Sequence, residues 1–315
     1  MVRVRMYEEK TVQEKILSIL PLSELEAEAQ ANCRKENSPN QDNQNKNPEQ
    51  IKLDLDSSTS KSASLSYRDE LVRSLLKWFK YSFFTWCNHP ICVNCNKPAS
   101  EYLETQTPTE TEALWAASRT EVYKCSSCNI SNRFPRYNNP IKLCETKTGR
   151  CGEWANLFGA VLRALKYEVR FVDNFEDHVW NEYFSEDLNC WIHVDPCENA
   201  WNTPLLYEQG WGRVMTFILA HSFTGIQDVT PRYIKDFEVA VKRRNPITVA
   251  KIKGILFKHF EEITKSFKDE DRKRLRSRDD YEIVMFNMEK FLSKEELIER
   301  QSGSEEWRKS RGEMK

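Results

Sequence analysis

Three side-chain types in this chain, a cysteine, a histidine and an aspartate, fall where they could act together on an amide or ester. Cys151 lies in GRCGEWANLF (149–158), at the mouth of a run whose Trp154, Leu157, Phe158, Val161, Leu162 and Leu165 recur at spacings of three and four. That periodicity predicts a helix over 150–166 with one buried face, and it puts Cys151 at the N-terminus. There the exposed N–H groups and the positive end of the dipole favour thiolate over thiol. A small residue that merely packs reads equally well from this segment alone. An attacking thiolate also needs a base, and that base needs a carboxylate to fix its tautomer. Among the histidines at 89, 178, 193, 221 and 259, register selects one. EDHVWNEYFSEDLNCWIHVDPCEN reads as a hairpin. With its turn centred between Glu186 and Asp187, His178 falls directly opposite Asp195. Alternation gathers His178, Trp180 and Glu182 on one face with Trp191, His193 and Asp195. Val179, Tyr183, Cys190, Ile192 and Val194 are left for a core on the other. His193 is the rival base, but it shares a strand with Asp195. His89 lies beside a cysteine cluster and reads as local structure.

That cluster is a second chemical signal. CVNC (92–95) and CSSC (125–128) each bring two thiols together. Cys92, Cys95, Cys125 and Cys128 would satisfy one tetrahedral Zn²⁺ with no open position, which makes the site structural. Residues 96–124 separate the knuckles, so a small subdomain must fit between them.

The elements that must position these groups follow along the chain. Residues 11–32 read as helical, interrupted at Pro21. Residues 36–64 change to Asn, Gln, Ser and Pro, as in ENSPNQDNQNKNPEQ, and predict a disordered linker or long loop. Ser66 caps the next helix, with Asp69 three residues on. Residues 85–145 are rich in cysteine and turns. EVRFVDN, HVWNEYF and CWIHVDP are strands. After Pro231 the pattern is helical, down to a charged tail. Lysine plus arginine number 47 against 48 acids, a net charge of −1, which gives no electrostatic reason to expect a nucleic-acid partner. No apolar run approaches the ~20 residues of a membrane span, and no signal peptide is evident. Ten cysteines therefore read as ligands, nucleophiles or buried thiols of a cytoplasmic protein, with room for a nuclear pool.

The order Cys, His, Asp on helix, strand, strand resembles the transglutaminase-like branch of papain-type cysteine enzymes. GRCGEWANLF, EDHVWNEYF and HVDPCEN, preceded by the two knuckles and RFPRYNNPIKLCETKTGR, are similar to the cytosolic peptide:N-glycanase family over about 65–230. The tail RQSGSEEWRKSRGE (300–313) looks like part of that family too. The resemblance implies an α+β fold: a transglutaminase-like, papain-like core (65–230) that includes a four-cysteine zinc subdomain (85–145). An N-terminal amphipathic helix region (1–35), the linker (36–64) and a helical C-terminal region (231–315) flank it. It implies removal of N-linked glycans from misfolded glycoproteins during ER-associated degradation, with Asn converted to Asp. In that reading Cys151 is the nucleophile, His178 the base and acid, and Asp195 the orienting carboxylate. Trp180, Glu182, Glu198 and Trp211 match positions near the sugar groove, and one structural Zn²⁺ sits on the four cysteines. A ubiquitin-shuttle or proteasome-linked partner could dock on the 11–32 helix, although an intramolecular helix fits that segment as well. A protease or transglutaminase of the same fold, or a scaffold that only binds, are the rival readings.

Overall fold

The computed structural model describes residues 2–36, 65–292 and 299–310. Of the predicted linker (36–64), Glu36 ends a helix and residues 37–64 lie outside the described residues. The chain divides into two compact units, residues 21–75 and the remainder. Within the first, helix α3 (Leu22–Glu36) and the start of α4 (Tyr67–Trp78) are joined by Asn32, whose amide donates to Glu70 at 3.1 Å. Ser66 caps α4 as expected, accepting from the Asp69 N–H at 3.2 Å. Pro21 does separate two helices, α2 (Lys10–Leu17) and α3.

In the larger unit a six-stranded sheet runs in the order β11-β10-β6-β7-β8-β9. Its strands are β6 (Val169–Asn174), β7 (His178–Ser185), β8 (Cys190–Asp195), β9 (Ala200–Trp201), β10 (Ile218–His221) and β11 (Ile226–Asp228), each antiparallel to its neighbours. Short β1 (Thr85–Trp86) pairs in parallel with β5 (Thr148–Gly149). One knuckle precedes a three-stranded sheet, β2 (Glu101–Gln106), β3 (Thr120–Lys124) and β4 (Ser131–Pro135), and the other lies in its β3–β4 connection. The helix predicted over 150–166 runs from Cys151 to Ala164, and we call it α5. Its apolar stripe is buried throughout, with Phe158 and Trp154 packed edge-on to Phe79.

The β7–β8 hairpin is slipped from its predicted register. Asn181 pairs with Val194 and Ser185 with Cys190, because the loop takes four residues (186–189). Asn189 is left-handed at φ 51°, and Ser185 Oγ accepts from the Leu188 N–H at 3.1 Å. A shift of two residues leaves every side chain on its face. His178 and Asp195 therefore stay together, but on a diagonal rather than directly opposed.

The predicted open face is also corrected. The chain after Pro231 folds back over it through the helices Thr230–Tyr233 and Asp269–Leu292. Tyr233 and Phe286 cluster there with Trp180, and both faces of the hairpin are buried. Four buried charges lock this layer. Arg170 forks onto Glu282 at 2.7 and 2.9 Å, and Arg232 reaches Glu182 at 2.7 Å and Glu282 at 3.0 Å.

A second buried charge cluster fixes the first turn of α5. Glu153 accepts the Arg150 N–H at 2.9 Å and both arms of the Arg136 fork at 2.8 Å. Glu121, on β3, accepts from Arg136 and Arg150, each at 2.9 Å, and from the Tyr123 hydroxyl at 2.7 Å. Burial works against the Glu121 carboxylate, but the two guanidiniums bring its pKa down to about 2. The glycines beside Cys151 divide by the same geometry. A Cβ on Gly149 would sit 2.3 Å from Glu153 Cβ, whereas one on Gly152 would meet only Arg136 Nη2 at 3.8 Å. Gly149→Ala should therefore cost about 1–3 kcal/mol, as overpacking does, and Gly152→Ala less than about 0.5. Denaturant unfolding of both variants checks this; equal losses would show that Glu153 does not set the requirement.

Candidate active site and metal centre

Cys151 opens α5 and is half-buried. His178, the first residue of β7, is 2% exposed. Its Nε2 donates to Asp195 Oδ2 at 2.8 Å, and its Nδ1 makes no hydrogen bond to any described residue. Nδ1 is thus the nitrogen left for the thiol. Burial alone would push the imidazole toward neutrality, but the Asp195 carboxylate and then Cys151 outweigh it and raise the pKa to about 9.

Asp195 has no exposed surface, and its contacts are directional. Oδ1 accepts the Cys197 N–H at 2.8 Å. Oδ2 also accepts the Tyr207 hydroxyl at 3.0 Å. The direction of that last bond is set from behind. The Thr203 N–H donates to His193 Nδ1 at 3.2 Å, so His193 Nε2 carries the proton and donates to Tyr207 Oη at 2.7 Å. Tyr207 then has its own proton free for Asp195. Burial drives the His193 pKa down to about 3, so it stays neutral and is no rival base. Desolvation opposes the Asp195 charge too, yet His178 and the Tyr207 hydroxyl hold its pKa below the usual carboxylate value.

The four knuckle sulfurs lie within 4.8 Å of one another, with Cys92–Cys128 and Cys95–Cys125 each at 3.5 Å. All four are free thiols. A tetrahedron with metal–sulfur bonds of about 2.3 Å places its sulfurs about 3.8 Å apart. The donor set therefore fits a metal ion.

A model of the transglutaminase-like superfamily matches residues 100–196, and one of the Rad4 transglutaminase-like domain matches 168–287. The peptide-N(4)-(N-acetyl-beta-glucosaminyl)asparagine amidase of Yarrowia lipolytica is 40% identical over 250 residues, covering 78% of this chain and 69% of its own. The chain belongs to that amidase family. The amidase of Mus musculus is 38% identical over 98% of this chain, which spans 44% of the mouse protein. A crystal structure of Rad4–Rad23 crosslinked to an undamaged DNA superposes with a TM-score of 0.50 at 13% identity, over 94% of this chain and 56% of that one. That likeness speaks for the fold alone.

Of the four residues matched to the amidase sugar groove, three make other contacts here. Trp180 has no exposed surface and stacks on Tyr207 at 4.2 Å between ring centroids. Glu182, equally buried, accepts from Arg232 and from the Tyr233 hydroxyl, both at 2.7 Å. Neither can touch a sugar in this conformation, because the C-terminal helices cover their face. Glu198 is 1% exposed, and it accepts the backbone N–H groups of Gln301 and Ser302 at 2.6 and 3.2 Å. Only Trp211 keeps an accessible surface. It is half-buried, with its ring 5.1 Å from that of His178.

Sequence reasoning missed Tyr207, which follows a short 3-10 turn (Pro204–Leu206) and belongs to no periodic pattern. It also missed Trp86. The indole Nε1 of Trp86 is buried with no acceptor among the described residues, and β1 carries it alongside the strand leading into Cys151. The predicted docking helix is a mixed result. Val12 and Ile16 of α2 are buried, and just before it Tyr7 donates to Asn156 of α5 at 3.0 Å and Glu8 pairs with Arg163 at 2.7 Å. The intramolecular alternative describes these residues.

Two outcomes follow. A folded pKa of about 9 lies above the ordinary imidazole value of 6.5. The imidazolium and its stabilising pair are thus fully present below pH 6.5 and are lost as pH rises through 9. Reaction with a thiol-directed or amide substrate should show an alkaline limb near pH 9. In Asp195→Asn the limb should move toward or below neutrality, with kcat/KM down on the order of 10³–10⁴-fold. A limb that stays put in the variant would refute the pairing. Metal analysis should find one ion bound, and stripping it with a chelator should lower the melting temperature and the activity together. Unchanged melting after verified metal loss would mean that the knuckles do not need the ion.

Proposed function

We propose that the chain is a glycan-removing amidase. It would hydrolyse the bond between an N-linked glycan and an asparagine side chain, leaving aspartate and releasing the glycan as a glycosylamine. The observation that carries this reading is the buried His178–Asp195 pair, whose second ring nitrogen is unbonded, in a chain of the amidase family.

The Cys151 thiolate attacks the side-chain amide carbon, and the carbonyl electrons move onto oxygen. The oxyanion needs donors. The backbone N–H of Cys151 at the head of α5 is one, and the unpaired indole N–H of Trp86 is the other. As the tetrahedral centre collapses, the carbon–nitrogen bond breaks and the His178 imidazolium protonates the departing nitrogen. A thioester remains. His178, now neutral, takes a proton from water, whose oxygen attacks the thioester. The carbon–sulfur bond breaks, and aspartate and the thiolate are released. Asp195 keeps the imidazole oriented and stabilises its charged form in both halves. A Zn²⁺ on Cys92, Cys95, Cys125 and Cys128 would have its four positions filled by sulfur and would act only on the fold.

Because Cys151 is half-buried and His178 almost wholly so, the amide must be brought to recessed groups. A glycosylated asparagine on a mobile, extended chain can do this more easily than one on a folded surface. Misfolded glycoproteins, as met in the cytoplasm during ER-associated degradation, are therefore the substrates we assign. Trp211, beside His178, is the sugar-stacking residue we retain.

Incubating a glycopeptide with the protein should release the glycan and leave aspartate in place of asparagine, as read by mass spectrometry. Cys151→Ala should abolish this, and Trp86→Phe should lower kcat on the order of 10²-fold. A heat-denatured glycoprotein should react faster than its native form. Glycan loss without conversion to aspartate would sink the amidase assignment.

A further inference from the structure

The tail segment that starts at Arg300 has no part in the scheme above, yet it contacts Glu198, Arg150 and Trp211, neighbours of Asp195, Cys151 and His178. Glu198, three residues past Asp195, holds the Gln301 and Ser302 N–H groups. Asn88 accepts the Ser304 N–H at 2.9 Å. Trp307 packs edge-on to Trp86 at 5.6 Å, and the Arg150 guanidinium lies 5.4 Å from the Trp307 ring. Gly303 sits so close that a Cβ there would come within 2.8 Å of Trp307 and 3.4 Å of Trp86 Nε1. Its φ of +78° is one that other residues rarely adopt. Arg300 lies 5.1 Å over Trp211, the indole that packs on His178, and 5.9 Å over Trp307.

These contacts tie the segment to the strand before the nucleophile on one side and to the Asp195 loop and Trp211 on the other. We propose that residues 300–307 form a wall of the substrate cleft. In that wall Arg300 is a specificity-determining residue that donates to the hydroxyl or N-acetyl oxygens of the sugar next to the scissile amide. The substrate class rests on the amidase reading; the wall does not. Two indoles flank the guanidinium and its Nε donates to Ser302 Oγ at 3.2 Å, so its orientation is set at little entropic cost. Glu198, carrying the segment through two backbone bonds, is a positioning residue.

The test compares wild type with Arg300→Ala, Arg300→Lys and Gly303→Val, on a glycopeptide and on alkylation of Cys151 by iodoacetamide. Melting temperature and metal content report on folding. Arg300→Ala should raise KM roughly tenfold or more, the loss of one charge-assisted bond, with kcat within about threefold. Arg300→Lys should recover part of it. Gly303→Val, which dislodges the segment, should also speed alkylation of Cys151 several-fold, while Arg300→Ala leaves alkylation as it was. An unchanged KM in Arg300→Ala overturns the role of Arg300, and unchanged alkylation in Gly303→Val overturns the wall. If wild type leaves the glycopeptide intact, the amidase reading fails, and the alkylation comparison still decides for or against the wall.

Discussion

Glu121 is the carboxylate on which the position of Cys151 depends. It sits buried between Arg136 and Arg150, and Arg136 passes the constraint to Glu153 in the first turn of α5. Two acids and two guanidiniums cancel, so no net charge is buried, but each has lost its water. Such clusters add little net stability against an apolar core of the same shape, and removing one member is costly because a charge is stranded. What this cluster does is fix a direction. Its members come from β3, from the end of β4, from the residue before Cys151 and from α5 itself. Cys125, the first thiol of the second knuckle, directly follows β3. A metal ion held on the four cysteines would therefore keep β3 and Glu121 where Arg150 and Arg136 need them.

The other half of the site depends on a second cluster of the same kind. Arg170, Arg232, Glu182 and Glu282 bind the C-terminal helices onto the face of the hairpin that carries His178, Trp180 and Glu182. Closing that face removes water from around Asp195. A carboxylate so placed is dominated by its fixed partners, and here these are three donors, His178, the Cys197 N–H and the Tyr207 hydroxyl, the last of them turned toward Asp195 by His193. The same desolvation that would neutralise a lone imidazole makes this one hold its proton, because the nearby negative charge is poorly screened. His193 shows the contrary outcome. It is buried as deeply, but Nδ1 already accepts a bond, and it remains neutral.

The parts of this arrangement visible in the sequence are those governed by period and spacing. Helix α5 follows from the three-four spacing of Trp154 to Leu165, and the knuckles follow from two C-x-x-C pairs. The strands follow from alternation, which preserved the pairing of His178 with Asp195 even when the hairpin slipped by two. Turn length depends on whether Asn189 takes a left-handed conformation, which alternation does not encode. The role of Trp180 and Glu182 was misread for a different reason. Alternation gives the face of a side chain, but whether that face meets solvent or another layer depends on helices more than 40 residues away in sequence. Arg232 and Glu282, which neutralise Glu182 and Arg170, carry no local sign of that partnership. Tyr207 and Trp86 matter through single contacts made by irregular or very short segments, where no repeating pattern exists to be read.

Because one charge cluster fixes the thiol and another fixes the imidazole, their separation must be set by how closely α5 approaches β7. Gly159 controls that approach. A Cβ there would fall 2.8 Å from the Asn181 amide nitrogen and 3.1 Å from the Tyr7 ring, so any larger residue must lift the helix from the sheet or expel Tyr7. Asn156, one turn nearer to Cys151, is bonded to the Tyr7 hydroxyl and to the Asn138 carbonyl. The helix is thus pinned at its middle by the absence of a side chain and at its head by ion pairs. A helix held at two points along its axis can neither slide nor tilt without breaking one of them. In this fold, catalytic distance is accordingly a property of backbone approach. The distance between Cys151 on α5 and His178 on β7 thus depends on the glycine that lets those two elements come close.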